Sequence, residues 1–185
     1  MTWWRRLFRR GRAEEGGSTV EFVLVFPLFV AAAFSTFEAG ILMTKAVMLD
    51  RGLDFAMRDL RLGNVEGGTP DEVRAEIRDT ICARGVFFAN CEDTVLVELS
   101  SIENVADYPT TSAACIDTSE IDDEGVVIVP QVNFIPGSPD ELMFVRVCAA
   151  VDTIFPGIGL GLKLPKDGAN RFNIVSTSAF VYEPE

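Results

Sequence analysis

A glutamate, Glu21, stands at the head of a long apolar run, directly after the glycine pair Gly16 and Gly17 and the small residues Ser18 to Val20. A carboxylate at the start of a membrane helix is costly to insert unless it is neutralised or paired. On its own it is equally explained as a helix cap or an interface charge that the helix dipole favours. The pattern therefore indicates a junction at the membrane surface with a charge that needs a partner.

The four cysteines, Cys82, Cys91, Cys115 and Cys148, all follow the apolar run. An even count on one side of a membrane anchor predicts two disulfides in an oxidising compartment. The alternative is four buried free thiols. Of the three possible pairings we favour Cys82–Cys91, which closes a short loop, and Cys115–Cys148, which is left for the sheet.

No histidine occurs in the chain. The commonest metal ligand and general base is therefore missing, and a Ser–His or Cys–His catalytic site is impossible. The acidic cluster at 120–124 does not follow the spaced pattern of a calcium loop, and a solvated charge run explains it better. We expect no enzyme, no metal site and no cofactor.

A glycine-rich stretch, Gly157 to Gly161, does not follow a strand and open a helix as a phosphate loop does. We expect a flexible or membrane-proximal loop there instead. Its apolar residues make this stretch and its flanks a candidate surface for binding a partner. They are Ile154, Phe155, Ile158, Leu160, Leu162 and Leu164.

The net charge of −12 is unevenly distributed along the chain. Five arginines and two glutamates give the first 16 residues a charge of +3, so the remainder carries −15. Phosphate contacts require lysine and arginine, and a domain this acidic is not expected to bind nucleic acid. The acidity is explained by solubility.

The elements that position these residues begin with an uncharged apolar run from Phe22 to Phe37, which continues after Glu38 as far as Lys45. The stretch can cross a hydrocarbon core of about 30 Å at about 1.5 Å per residue. Arginines precede it, so we expect the N-terminus in the cytoplasm and the C-terminus outside. The run is longer than the core of a secretory signal peptide and no clean cleavage site of that kind closes it.

The helical pattern continues past the apolar run, with apolar residues recurring between charges as far as Leu62. One helix from about Ser18 to Leu62 is predicted. Within it, Glu38 has three possible roles: pairing with another subunit, reaching Lys45 two turns away, or marking the outer membrane boundary.

An α+β domain is predicted after this helix. Thr69 and Pro70 open a second helix that stops at Gly85. Four β-rich runs follow, at 94–100, 125–134, 142–151 and 171–182, with a turn at 137–140. Short turns between consecutive strands imply an antiparallel meander. The expected architecture is a long helix, a second helix and a sheet of about four strands.

The junction resembles a type IV prepilin leader, and GSTVEFVLVFPLF narrows the resemblance to the TadE/TadF-like minor pseudopilins of the tight-adherence (Tad/Flp) pilus system. The acidic-x-Gly step Glu38-Ala39-Gly40, the juxtamembrane segment LDRGLDFAMRDLRLG and the ending at 180–185 are also similar to that family. Two features depart from the family pattern: the sequence Phe37-Glu38-Ala39-Gly40, and a domain longer than that of the smallest members. They leave the subclass, TadE or TadF, open.

The resemblance implies that a prepilin peptidase cuts after Gly16, which makes Gly17 the N-terminus and Glu21 the fifth residue. A cut after Gly17 would put Glu21 fourth and matches less well. Glu21 would then neutralise the free α-amino group of its own or a neighbouring subunit, and Glu38 and Gly40 would join Glu21 at helix interfaces.

The implied organisation is a cytoplasmic leader at 1–16, a transmembrane and juxtamembrane helix at 17–62 and a pilin-like domain outside the cytoplasm at 63–185. The implied partners are other pilins and pseudopilins, the prepilin peptidase and inner-membrane platform proteins. Two other functions stay open: an unprocessed membrane-anchored binding module, and a pseudopilin of a type II secretion system.

Overall fold

A 47-residue helix, α1 (Glu15–Arg61), begins the described part of the protein. The structure is a computed structural model and describes residues 15–62, 64–65, 69–85, 90–117, 119–134 and 140–181. The long helix is predicted from the sequence, and its two halves differ as expected. Residues 17–29 are exposed, whereas the second half buries Leu49, Leu53 and Leu60. The spacing of these residues follows the 3.6-residue period, so one stripe of the helix faces the core.

The second helix, α2 (Pro70–Arg84), is defined by its local sequence. The hydroxyl of Thr69 accepts the backbone N–H of Glu72, and the Glu72 carboxylate accepts the N–H of Thr69, which completes a capping box. Gly85 ends the helix as predicted. Its buried residues Ile77 and Ile81 face α1 and the sheet.

The two helices approach closely at Gly52 of α1. A Cβ atom on Gly52 would lie 3.0 Å from the carbonyl oxygen of Ile81 and 3.2 Å from its Cα. Both are backbone atoms that cannot move aside cheaply. A side chain at position 52 would therefore push the helices apart.

Within the described residues the sheet has three antiparallel strands in the order β1 (Val95–Ile102), β2 (Leu142–Asp152) and β3 (Arg171–Val181). A short helix, α3 (Cys91–Thr94), leads into β1, and α4 (Gly159–Lys163) lies between β2 and β3. The helices α1 and α2 cover one face of the sheet, where the core forms. The fold is α+β, as predicted.

The prediction of a fourth strand at 125–134 was wrong. That segment makes only isolated bridges, Ile121 to Val127 and Leu99 to Phe134. Val126, Ile128 and Val129 are exposed, so the apolar side chains that suggested a strand are not covered by a neighbouring element. β-propensity reflects packing on a sheet more than an intrinsic backbone preference.

Part of the long connection between β1 and β2 lies against the second face of the sheet, at these two strands. Glu98 and Arg146 lie opposite each other on β1 and β2 and form an ion pair at 2.5 Å. The Glu98 carboxylate also accepts the N–H of Ala114, and Cys115 is bonded to Cys148 of β2. The connection is thus attached to the sheet by a covalent bond and by partly buried polar contacts.

Several predicted features lie outside the described residues. They are most of the leader at 1–16, most of the turn at 137–140 and the ending from Tyr182 onward.

Candidate functional site

Between Val20 and Phe29, α1 presents exposed large apolar side chains on all sides. None of its most apolar window is buried inside the protein, and in the described part of the chain α1 is the one helix long and apolar enough to span a membrane. The exposed residues include Val20, Phe22, Val23, Leu24, Val25, Phe26, Leu28 and Phe29. A soluble helix rarely exposes apolar surface of this extent, because such patches mark membrane or protein contacts.

The residues predicted to direct processing lie at the start of this exposed apolar part of α1. Gly16 and Gly17 form part of the first turn of α1. A Cβ atom on Gly17 would meet nothing within 4 Å, and the Glu21 side chain is exposed. The structure therefore leaves this junction open to other molecules.

Glu38, in contrast, is buried, with 1% of its surface exposed. Its two carboxylate oxygens accept the backbone N–H of Ile154, each at 3.1 Å, and one of them accepts the N–H of Phe155 at 2.9 Å. Charge-assisted hydrogen bonds of this kind are stronger than neutral ones and can hold a carboxylate away from water.

The loop that supplies these amides extends over residues 153–164, and we call it the docking loop. Its Phe155 ring stacks on Phe34 of α1, with 4.5 Å between the ring centroids. The hydroxyl of Ser35 accepts the N–H of Leu160 at 3.0 Å and donates to the carbonyl of Ala31 at 2.6 Å. Aromatic stacking and hydrogen bonds thus seat the loop on the apolar half of α1.

Close contact with α1 requires a glycine in the docking loop. Gly159 has φ +58°, and a Cβ atom there would collide with the Ser35 hydroxyl and lie 2.9 Å from the Ala31 carbonyl. Only glycine combines this backbone conformation with so close an approach at little cost. The glycine-rich stretch that could suggest a phosphate loop serves instead to bring the backbone against the helix.

Glu38 and Lys45 each bond to a different part of the chain. Glu38 bonds to the docking loop, and Lys45 donates to the carbonyl oxygen of Asp152 at 3.2 Å, so the two side chains have separate partners. A Cβ atom on Gly40 would meet nothing within 4 Å, so its face of α1 is open. Of the three residues expected at helix interfaces, Glu21 and Gly40 are accessible to a neighbour and Glu38 is covered.

The segment between the docking loop and β3 is bonded to Asp117. The Asp117 carboxylate accepts the N–H of Ser119 at 2.9 Å, the hydroxyl of Ser119 at 2.7 Å and the N–H of Gly168 at 2.9 Å. The hydroxyl of Ser119, followed by these amides, lowers the pKa of Asp117 below its ordinary value, because each bond favours the charged form.

Both disulfides lie in the α+β domain. Cys82 is bonded to Cys91 and Cys115 to Cys148, the two pairs expected from the sequence. The first ties the end of α2 to α3, and the second ties the long connection to β2. Among the residues that the structure describes, no group of three or more cysteines and acids could hold a metal ion.

A groove of about 480 Å³ lies between α2 and β1. Arg74 and Arg78 line it, and the guanidinium of Arg74 lies 5.0 Å from the centre of the Phe134 ring. The Nε atoms of both arginines have no hydrogen-bond partner in the described part of the chain. Glu92 and Asp93 also line the groove, so its charge is mixed.

An α+β domain carried by a single N-terminal helix that could span a membrane defines the class of this chain, a candidate single-pass membrane protein. Its anchor is TadE-like: the family described as TadE-like protein matches residues 16–58 and confirms the resemblance predicted from the sequence. The match covers the junction, the apolar half of α1 and most of its amphipathic half. The chain gives no significant match to a curated protein or to a solved structure.

Sequence reasoning missed Phe34 and Ser35 as the residues that receive the docking loop. A hydroxyl residue followed by a glutamate three positions later, inside an otherwise apolar run, was the available signal. The partner of that pair could not be identified from it, because the docking loop supplies backbone amides, which have no sequence signature.

Proposed function

We propose that this chain is a minor pseudopilin that takes part in assembling a Tad/Flp-type pilus, with a structural rather than an enzymatic role. The observation that carries the proposal is the coincidence of two features in one segment. The TadE-like match extends over residues 16–58, and residues 17–29 of that segment are exposed, without cover from the rest of the chain.

The proposed membrane arrangement follows from the charges around α1. The five arginines that precede it stay in the cytoplasm, and the acidic domain lies in the periplasm. Neighbouring pilins or pseudopilins pack against the exposed first half of α1 and against the open face at Gly40. Inner-membrane platform proteins are the expected assembly partners.

Processing would make Gly17 the N-terminus and place its amino group close to Glu21. The carboxylate is exposed, so it can pair with the amino group of its own chain or of a neighbouring subunit. A peptidase must open the first turn of α1 to reach the Gly16–Gly17 bond. Glycine lowers the cost of that step, since each glycine destabilises a helix by about 1 kcal/mol relative to alanine.

The test is to express the full chain with and without a prepilin peptidase and to measure its intact mass and N-terminal residue. We expect the peptidase to remove residues 1–16 from the wild type. Gly16→Leu should block cutting, because the side chain interferes at the cleaved bond. Gly40→Leu is the matched control on the same helix and should be cut normally, since position 40 faces open space. An unchanged mass of the wild type beside an active peptidase would overturn the proposal.

An unprocessed membrane-anchored binding module is the second candidate, and the arginine-lined groove between α2 and β1 is the observation that favours it. It predicts the full-length mass in every arm of the same experiment. A type II secretion pseudopilin would be cut as well. Loss of pilus assembly on deletion of the gene, with secretion unaffected, separates the Tad role from that alternative.

A further inference from the structure

The uncharged part of α1 is too short to cross a bilayer alone. Phe22 to Phe37 contains 16 residues. At about 1.5 Å per residue it spans about 24 Å, whereas a hydrocarbon core measures about 30 Å. The hydrocarbon region must therefore extend past Glu38, and the structure has to deal with a carboxylate at that depth.

The docking loop shields the Glu38 carboxylate from lipid at that depth. The carboxylate is 1% exposed and its oxygens accept backbone amides, so no charge faces lipid. On the exposed side of α1, the apolar surface includes Phe37 next to Glu38 and continues beyond it with Met43 and Val47. The helix can thus stay in contact with lipid for the additional turns.

The docking loop also turns apolar side chains outward at the same level. Ile154 is 50% exposed and Leu162 is 60% exposed. Irregular backbone is tolerated at membrane depth only where its polar groups are satisfied within the protein. Three amides of this loop are satisfied by α1, those of Ile154 and Phe155 by Glu38 and that of Leu160 by Ser35.

The lysines of the chain gather around this loop. The chain has three lysines, Lys45, Lys163 and Lys166. Lys45 donates to the carbonyl of Asp152 just before the loop, Lys163 ends α4 within it, and Lys166 donates to the carbonyl of Pro156 at 3.2 Å. In a protein of net charge −12, such a cluster fits phospholipid headgroups, because lysine stems lie along apolar surface while the ammonium groups reach the phosphates.

We propose that the docking loop is a second part of the membrane anchor, with Ile154 and Leu162 inserted into the outer leaflet of the phospholipid bilayer and the lysines at its headgroups. The proposal rests on the membrane-spanning part of the proposed function and not on the pilus role. Lipid is favoured over a partner protein because the loop continues the apolar surface of α1 at the depth where the uncharged run ends.

The test places single tryptophans in the full chain, with the native Trp3 and Trp4 replaced by phenylalanine. The protein is reconstituted in vesicles of phosphatidylethanolamine and phosphatidylglycerol whose acyl chains carry bromine, a quencher, either near the headgroup or near the bilayer centre. Leu162→Trp is the reporter and Ile154→Trp is a second one, in case the first variant does not fold. Leu62→Trp is the matched control, a leucine of equal exposure (60%) beyond the far end of α1. Val25→Trp reports on the membrane helix itself.

We expect the two loop reporters to lose more emission to shallow bromine than to deep bromine. Val25→Trp lies three residues past the start of the uncharged run, about 5 Å into the hydrocarbon, and should also be quenched. Leu62→Trp should lose none. If Val25→Trp is quenched and both loop reporters behave like Leu62→Trp, the loop faces water or protein and this proposal fails alone. If Val25→Trp is not quenched either, the membrane anchor itself is refuted and the proposal fails with it.

Discussion

The carboxylate of Glu38 accepts the backbone N–H of Phe155 at 2.9 Å, across 117 positions of the chain. This bond, with the one from Ile154, joins the apolar half of α1 to the α+β domain. The contact lies N-terminal to the residues of the amphipathic half that pack into the core. The helix is therefore attached to the domain at two places along its length.

Replacing Glu38 by alanine should destabilise the full chain by about 3 kcal/mol, because two buried amides lose a charged acceptor. Glu38→Gln keeps one acceptor oxygen and should cost less. The measurement is denaturant unfolding in detergent micelles. Glu21→Ala, which removes an exposed carboxylate of the same helix, is the control and should change the stability little. Equal effects of Glu38→Ala and Glu21→Ala would show that the docking contact contributes nothing.

A methyl group at Gly159 should detach the docking loop from α1. The Gly159→Ala variant meets the Ser35 hydroxyl and the Ala31 carbonyl and strains a backbone at φ +58°, so we expect a loss of about 2 kcal/mol or more. Hydrogen exchange of the Leu160 amide should accelerate, since its bond to Ser35 is lost. Gly157→Ala, where a Cβ meets nothing within 4 Å, is the matched control. Slow Leu160 exchange in Gly159→Ala would contradict the close approach.

The two disulfides should contribute unequally to stability. Cys115–Cys148 closes a separation of 33 residues and Cys82–Cys91 a separation of 9. Loop-closure entropy then gives about 3.7 kcal/mol for the first and about 2.6 kcal/mol for the second. Unfolding of the two double-alanine variants in micelles measures the difference. A greater loss from the 82–91 pair would mean that local packing, not chain entropy, sets the order.

Asp117 should make the stability of the protein depend on acid pH. Its folded pKa lies below the ordinary value of 3.8, so the ionised carboxylate is favoured by folding. Its contribution is full above that value and is lost as the pH falls through the lowered folded pKa. Asp117→Asn should therefore be less stable than the wild type at neutral pH, because the amide group opposes the Gly168 N–H, and the gap should close in acid.

The control for this measurement is Asp123→Asn, which changes an exposed acid in the same connection. Its unfolding curves should follow those of the wild type at neutral pH. A gap between Asp117→Asn and the wild type that stays constant down to the lowest pH would show that the carboxylate charge is not involved.

Most of the helical fold could be predicted from local features of the sequence. Thr69, Pro70 and Gly85 define α2 through bonds that reach no further than four residues, and the apolar run and its amphipathic continuation define α1. The strands β1, β2 and β3 were found from their β-branched residues. The error at 125–134 arose because a strand also requires an edge to pair with, and β1 meets this segment only at Leu99 and Phe134.

The sequence by itself was enough to predict the long helix that could span a membrane and the two cysteine pairs of the α+β domain, since composition and short spacings encode these features. Only the tertiary structure decided the role of Glu38. A buried charge is stable or costly according to what covers it. The cover here is a pair of backbone amides 116 and 117 residues away, which any sequence could supply and only folding brings into place.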